Sequence, residues 1–124
     1  HLIHPLGFRL DEKQLKRAGL DYHEFTTLIE HENYQQFLAW AKDRRIFACS
    51  TKGSMLYSEI KYQTEDILLF GPETRGLPVE MRESLPENQV IRIPMVKNSR
   101  SLNLSNAVAI ITYEVLRQLN FNPT

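Results

Sequence analysis

The sequence predicts a single α/β domain with a mostly parallel sheet covered by helices on both faces. The main observation is that short apolar segments alternate with segments of helical periodicity, which is the element order of parallel sheets. The length of 124 residues suits one hydrophobic core. Hydrophobic residues make up 42% of the chain and charged residues 24%, as in ordinary globular proteins. Basic and acidic residues are equal in number, so a nucleic-acid partner would need a local basic patch.

The first half of the chain predicts three strands and two helices. Pro5 and Gly7 end the first strand, and Asp11 and Gly19 are placed to cap and to end the first helix. The second helix follows from apolar residues at helical spacing. The third strand is a short buried run that a Thr-Lys-Gly turn ends. The predicted strands are residues 1–4, 24–30 and 45–50, and the predicted helices are residues 10–20 and 31–43.

The second half predicts two further strands and two helices, while residues 54–63 stay ambiguous between strand and loop. Pro78 suits the first turn of a short helix. The last helix carries an apolar stripe along one face, which is typical of an amphipathic helix packed on a core. The strands are residues 66–70 and 89–94, the last helix is residues 104–119, and its stripe is Leu104, Val108, Ile111, Val115 and Leu119.

Three irregular loops follow the strand ends at Ser50, Phe70 and Pro94. Because parallel strands end at one edge of a sheet, these loops are expected to line one pocket. The middle loop, "GPETRGLP", lacks the Lys-Ser/Thr pair of phosphate-binding loops, and its prolines lack N–H donors, which argues against a nucleoside triphosphate. The last loop, residues 98–106, contains three serines and three asparagines. One helix cap needs fewer, so capping and ligand binding both stay open.

Other chemistries find less support in the sequence. His23 and His31 have no cysteine or carboxylate at ligand spacing, so no metal site is predicted. Cys49 lies in an apolar strand, which favours a small buried side chain over a catalytic thiol. A single cysteine suits a reducing compartment, and we expect a cytoplasmic protein. No apolar run approaches the roughly 20 residues that span a bilayer, and no secretory signal is visible, so no membrane partner is expected.

Two long motifs resemble those of a known family. "FGPETRGLP" and "IRIPMVKNSRSLNLSNAVAIITYE" resemble the second and third motifs of the SpoU group, which are RNA ribose 2′-O-methyltransferases of the knotted SPOUT class. "GFRLDEKQLKRAGLDYHEF" and "FACSTKG" are similar to the minimal subfamily that methylates the tRNA wobble nucleotide, position 34, cytidine or modified uridine. The resemblance covers nearly all of the chain. It implies a deep C-terminal trefoil knot, S-adenosylmethionine as cofactor, the tRNA anticodon stem-loop as partner, and a homodimer.

The same resemblance implies a segment that this chain lacks. The family's first motif, with a key Asn and Arg, would precede His1. We therefore expect an N-terminally truncated SPOUT domain over residues 1–124 in which an initial strand and helix are missing. The leading hypothesis is a tRNA 2′-O-ribose methyltransferase, and the alternative is a non-catalytic RNA-binding or assembly module of the same fold.

The resemblance also assigns roles to individual residues. Glu73 and Asn103 are expected to organise the catalytic site, with Glu73 joining two loops by a hydrogen bond. Arg100 is a candidate for a contact to ribose or phosphate, and Ser105 is an alternative cap of the last helix. Ile93 and Met95 would supply apolar walls for the cofactor. The expected cofactor-binding residues are Cys49, Gly71, Gly76, Ile93, Met95, Ser101 and Leu102.

A basic patch is expected to grip the RNA. Lys13, Lys16 and Arg17 are three and four positions apart, so they share one helix face. A solvated helix face explains such charges equally well. Tyr113 lies outside the apolar stripe and is expected at the dimer contact or against RNA. The expected RNA-binding residues are Arg9, Lys13, Lys16, Arg17, Lys97 and Tyr113.

Overall fold

The computed structural model divides the chain into two compact units, His1–Lys42 and Asp43–Thr124. Each unit contains its own group of parallel strands. The expectation of one domain over the whole chain stays a prediction, and the helix expected at residues 10–20 lies outside the described part of the chain. The structure describes residues 1–4, 27–72, 76–95 and 103–121.

The first unit pairs two short strands and adds one helix. Strands β1 (Leu2–Ile3) and β2 (Glu30–His31) are parallel, and helix α1 (Tyr34–Ala41) follows. Asn33 caps this helix, because its side-chain oxygen accepts a hydrogen bond from the backbone N–H of Gln36 at 2.8 Å. The strand at the start of the chain and the helix after His31 were both predicted, and both are confirmed.

A buried histidine of β2 contacts α1 and the first residue of the chain. His31 is only 7% exposed, and its Nε2 atom is 2.9 Å from Nδ1 of His1. The ring of Phe37 meets the His31 ring edge-on, and the ring of Trp40 is tilted against both histidines. The aromatic face of α1 therefore packs on the two strands through His31.

The second unit is built on a four-stranded parallel sheet. Its order, β4-β6-β3-β5, places the last strand in the sequence between two earlier ones. The ambiguous segment 54–63 contains strand β4 and one short 3-10 turn, Tyr57–Glu59. The strands are β3 (Ile46–Cys49), β4 (Met55–Leu56), β5 (Ile67–Leu69) and β6 (Val90–Arg92).

Two helices of this unit follow β5 and β6. Helix α2 (Val79–Glu83) begins one residue after Pro78, which takes the capping position instead of the first turn. Helix α3 (Leu104–Gln118) matches the predicted last helix. The predicted stripe is wrong at Val108, which is 36% exposed, whereas Ala107 is buried. Both residues fit helical spacing from Leu104, so periodicity alone does not choose between them.

The core lies between the sheet and α3. Ile91 and Ile111 are both fully buried, and they join β6 to α3. Side chains alternate across a strand, so Ile91 and Ile93 face α3 while Arg92 faces the opposite side of the sheet. The core cluster is Phe47, Ile60, Tyr62, Ile91 and Ile111, with Cys49, Met55, Tyr57, Leu68, Phe70, Ile93 and Val115 packed against it.

The C-terminal end of α3 is tied to the segment before β5 by the side chain of Gln118. The backbone N–H of Tyr62 donates to Gln118 Oε1 at 2.9 Å, and Gln118 Nε2 donates to the Ile60 carbonyl at 2.8 Å. The same Nε2 donates to Glu114 at 2.8 Å. Hydrogen bonds from Arg117 and Gln118 lower the pKa of Glu114 to about 2, so this carboxylate is charged at neutral pH and orients the amide.

We expect Gln118→Leu to destabilise the protein by about 2–3 kcal/mol, because the Ile60 carbonyl and the Tyr62 N–H lose their partner. Chemical denaturation measures this change. The control is Gln63→Leu, which alters an exposed glutamine of the same unit and should stay within about 0.5 kcal/mol of wild type. Equal denaturation midpoints for Gln118→Leu and Gln63→Leu would show that the Gln118 amide does not stabilise this contact.

Candidate functional site

The candidate site is the edge of the sheet at which β3, β5 and β6 end. The parallel register aligns Ala48 with Leu69 and Cys49 with Ile91. The three strands are neighbours and run in the same direction, so their following loops start side by side. The expectation that these strand ends meet at one edge is therefore confirmed.

The loop after β3 crosses directly over β6. The Ser50 N–H donates to the Ile91 carbonyl at 2.9 Å, and the Ser50 carbonyl accepts from the Gly53 N–H at 3.1 Å. A side chain at Gly53 would place its Cβ 2.5 Å from the Ile91 carbonyl carbon, so only glycine permits this crossing. The sequence indicated a turn at this glycine, but it gave no signal of which strand the turn would lie against.

The loop after β5 closes on itself through two glycines. The Gly76 N–H donates to the Pro72 carbonyl at 2.8 Å. A Cβ on Gly71 would collide with the backbone of Leu77. Gly76 has φ +69°, a left-handed conformation that glycine adopts at no steric cost. One glycine is thus required for space and the other for its backbone angle.

Two predicted cofactor contacts, Cys49 and Ile93, are half-buried at this edge and pack against the core. Burial raises the pKa of the Cys49 thiol, so the thiol is neutral at physiological pH and suits a wall better than a nucleophile. Met95, two residues after Ile93, is 39% exposed. The edge therefore combines two half-buried apolar residues with a more accessible apolar side chain.

Asn103 is the N-cap of α3. Its Oδ1 atom accepts a hydrogen bond from the backbone N–H of Ser105 at 2.8 Å. The alternative that Ser105 caps this helix is therefore wrong, because Ser105 lies inside the helix. The Nδ2 group of Asn103 has no hydrogen-bond partner among the described residues.

Several predicted site residues lie outside the described residues. Tyr113 is described and is 64% exposed on α3. In the described ranges, no group of three or more His, Cys, Asp or Glu side chains is arranged to hold a metal ion. None of the described helices has the length and apolar character required to cross a membrane. The residues outside the described part are Glu73, Arg100, Ser101 and Leu102 of the site, and Arg9, Lys13, Lys16, Arg17 and Lys97 of the basic patch.

A parallel sheet with two glycine-shaped loops at its carboxyl edge defines an α/β protein of the kind in which ligands generally bind at the strand ends. Residues 1–113 match the model of the SpoU rRNA Methylase family. The chain therefore belongs to this family.

Known proteins agree with this assignment. The chain is 54% identical over 121 residues to the tRNA (cytidine(34)-2'-O)-methyltransferase of Escherichia coli strain K12, and the match covers 98% of this chain and 77% of that protein. The solved structure described as "Structural insights into the 2-OH methylation of C/U34 on tRNA" has a TM-score of 0.88 at 44% identity, covering 98% of this chain and 79% of that chain. The AdoMet-bound rRNA methyltransferase from Sinorhizobium meliloti has a TM-score of 0.73 at 27% identity, covering 95% of this chain and 45% of that chain.

These structures confirm the predicted α/β class with a mostly parallel sheet. The trefoil knot stays a prediction. Its expected crossing involves the loop around "GPETRG" and the segment after β6, and residues 73–75 and 96–102 of these lie outside the described part.

Proposed function

We propose that this protein transfers a methyl group from S-adenosylmethionine to the ribose 2′-hydroxyl of nucleotide 34 of tRNA, a cytidine or a modified uridine. The observation that carries the proposal is the 54% identity, over 98% of this chain, to a tRNA (cytidine(34)-2'-O)-methyltransferase. The strand-end loops add support, because they offer a site at the edge where open α/β sheets bind ligands.

The described loops suit S-adenosylmethionine. No described atom lies within 4 Å of the position that a Gly76 side chain would take, so a ligand can approach this backbone closely. Ile93 and Met95 offer apolar contact beside it. Backbone N–H and carbonyl groups of such loops can recognise an adenine edge. We propose that the cofactor is held by Cys49, Gly71, Gly76, Ile93, Met95, Ser101 and Leu102.

The protein's part in the reaction is positioning. When bound, S-adenosylmethionine supplies a methyl group on a positively charged sulfur, so a C–O bond to the ribose forms as the C–S bond breaks. The protein must hold the 2′-oxygen in line and stabilise it as its proton leaves. We assign Glu73 and Asn103 to organise the two loops, and Arg100 to contact ribose or phosphate.

A second copy of the chain and the tRNA anticodon stem-loop are the proposed partners. Ile110 and Tyr113 are exposed on α3 and lie three positions apart, so they share one side of the helix. An exposed apolar surface of this kind supports a homodimer. The basic residues Arg9, Lys13, Lys16, Arg17 and Lys97 are proposed to contact phosphates. A tRNA substrate also favours the cytoplasm as the compartment.

Mapping of the methyl group tests this function. The protein is incubated with tRNA and labelled S-adenosylmethionine, and nuclease digestion then locates the label. We expect a 2′-O-methyl ribose at position 34. Label on a base, or outside the anticodon loop, would contradict the proposal. Binding of both cofactor and tRNA without transfer would instead support the non-catalytic module.

Asn103 variants separate helix capping from catalysis. We expect Asn103→Ala to cost about 1 kcal/mol of stability through loss of the cap. Asn103→Asp keeps an oxygen for the Ser105 N–H but lacks the Nδ2 donor. It should therefore fold with wild-type stability and lose most of the methyl transfer. Full activity of Asn103→Asp in the tRNA assay would restrict this side chain to capping.

A further inference from the structure

Two basic residues that the sequence did not single out, Lys52 and Arg92, adjoin the point where the turn after β3 crosses β6 at the carboxyl edge of the sheet. We propose that Lys52 and Arg92 bind a backbone phosphate of the RNA beside the reacting ribose. This inference rests on the proposed function, because it names the phosphate contact of the same site.

Lys52 is presented by a rigid turn. Its own N–H donates to Ser50 Oγ at 3.1 Å, and the next residue, Gly53, donates to the Ser50 carbonyl at 3.1 Å. Gly53 is also packed against the carbonyl carbon of Ile91. The Lys52 side chain is exposed, so the turn fixes the backbone of this residue and its ammonium group can reach an anion in solution.

Arg92 adjoins the same turn. Gly53 lies against the backbone of Ile91, at the peptide bond that joins Ile91 to Arg92. Lys52 directly precedes Gly53 in the sequence, and Arg92 directly follows Ile91. Arg92 is the last residue of β6 and aligns with Leu56 of the edge strand β4. Its side chain is half-buried and lies on the side of the sheet away from the α3 core.

Neither cation has an ion pair or a side-chain hydrogen bond within the described part of the chain. Glu59, three residues after the register partner of Arg92, accepts a hydrogen bond from the Leu56 N–H at 2.8 Å. Burial of a charged group is costly unless the charge is paired, so an anion beside the half-buried Arg92 would stabilise it. An ammonium and a guanidinium that flank one backbone crossing favour a phosphate, which can accept from both.

The position suits an RNA phosphate in particular. A ribose presented to the strand-end loops carries phosphate groups on its neighbouring oxygens, so a phosphate must pass close to this edge. Contacts to phosphate set the register of a nucleic acid on a protein without selecting its sequence. Lys52 and Arg92 therefore position the tRNA backbone, while the loops hold the methyl donor.

Salt-dependent tRNA binding tests the inference. We expect Lys52→Ala and Arg92→Gln each to weaken binding about 3–10-fold and to reduce the slope of log K against log salt by about 0.7–0.9. Lys52→Arg and Arg92→Lys should keep most of the tRNA affinity and most of the salt slope. Calorimetric affinity for S-adenosylmethionine should not change in Lys52→Ala.

The matched control is Lys61→Ala. Lys61 is exposed, and its carbonyl accepts from Arg45, which precedes β3 at the opposite edge of the sheet. The tRNA affinity and the salt slope of Lys61→Ala should therefore equal those of the wild-type protein. If the wild-type protein methylates tRNA but Lys52→Ala and Arg92→Gln both keep its salt slope, the inference is overturned and the proposed function stands. A wild-type protein that neither binds nor methylates tRNA would overturn the proposed function as well.

Discussion

Gly71→Ala is expected to weaken the binding of S-adenosylmethionine by roughly 100-fold, or about 2.7 kcal/mol. The added methyl group would collide with the Leu77 backbone, and backbone cannot turn aside as a side chain can. The loop would have to open at its base, next to the end of β5. Isothermal calorimetry with the purified variant measures the loss of affinity.

Gly76→Ala is the matched variant in the same loop. Its methyl group meets no described atom within 4 Å, but the residue has φ +69°. The cost is therefore conformational, about 1 kcal/mol of stability, with less than tenfold loss in affinity. Equal cofactor affinity for Gly71→Ala and wild type would show that this loop does not hold the methyl donor.

Asp66→Ala is expected to lower the free energy of unfolding by about 3 kcal/mol. The Asp66 side chain is 5% exposed, and Arg45 donates to its two oxygens at 3.0 and 2.6 Å. The N–H of Gln63 donates to the same carboxylate at 2.7 Å. Removing the carboxylate leaves the Arg45 charge and a backbone donor without their partner. Urea denaturation gives the value.

A neighbouring ion pair supplies the control for this prediction. Arg44 and Glu65 form a pair at 3.1 Å, with side chains 35% and 70% exposed. Exposed pairs contribute little, so Arg44→Ala should cost less than about 1 kcal/mol. Asp66→Asn keeps one acceptor oxygen, so its loss of stability should lie between those of Arg44→Ala and Asp66→Ala. A loss for Asp66→Ala no larger than that for Arg44→Ala would contradict the structural role of Asp66.

Much of the fold follows from local sequence patterns. The segment "RIFACS" is apolar and short, and it forms β3 (Ile46–Cys49). The last helix was expected at residues 104–119 and spans Leu104–Gln118. Periodicity failed at Val108 because Ala107 also fits the helical spacing, and only the tertiary packing of α3 decides which of them is buried.

The site was predictable in part. Parallel strand order places the residues after β3, β5 and β6 at one edge, and the register agrees with this. The role of Gly53 was not predictable, because it depends on β6 lying between β3 and β4. That insertion is a long-range pairing, and it leaves no mark on the local sequence. The same argument applies to the placement of Lys52 and Arg92 beside this crossing.

The central claim is that the three strand-end loops hold the methyl donor. A crystal structure of the protein with S-adenosylmethionine tests it most directly. We predict cofactor density in contact with Cys49, Gly71 and Ile93 at the carboxyl edge of the sheet. Cofactor bound at any other surface, with this edge in contact only with solvent, would contradict the account.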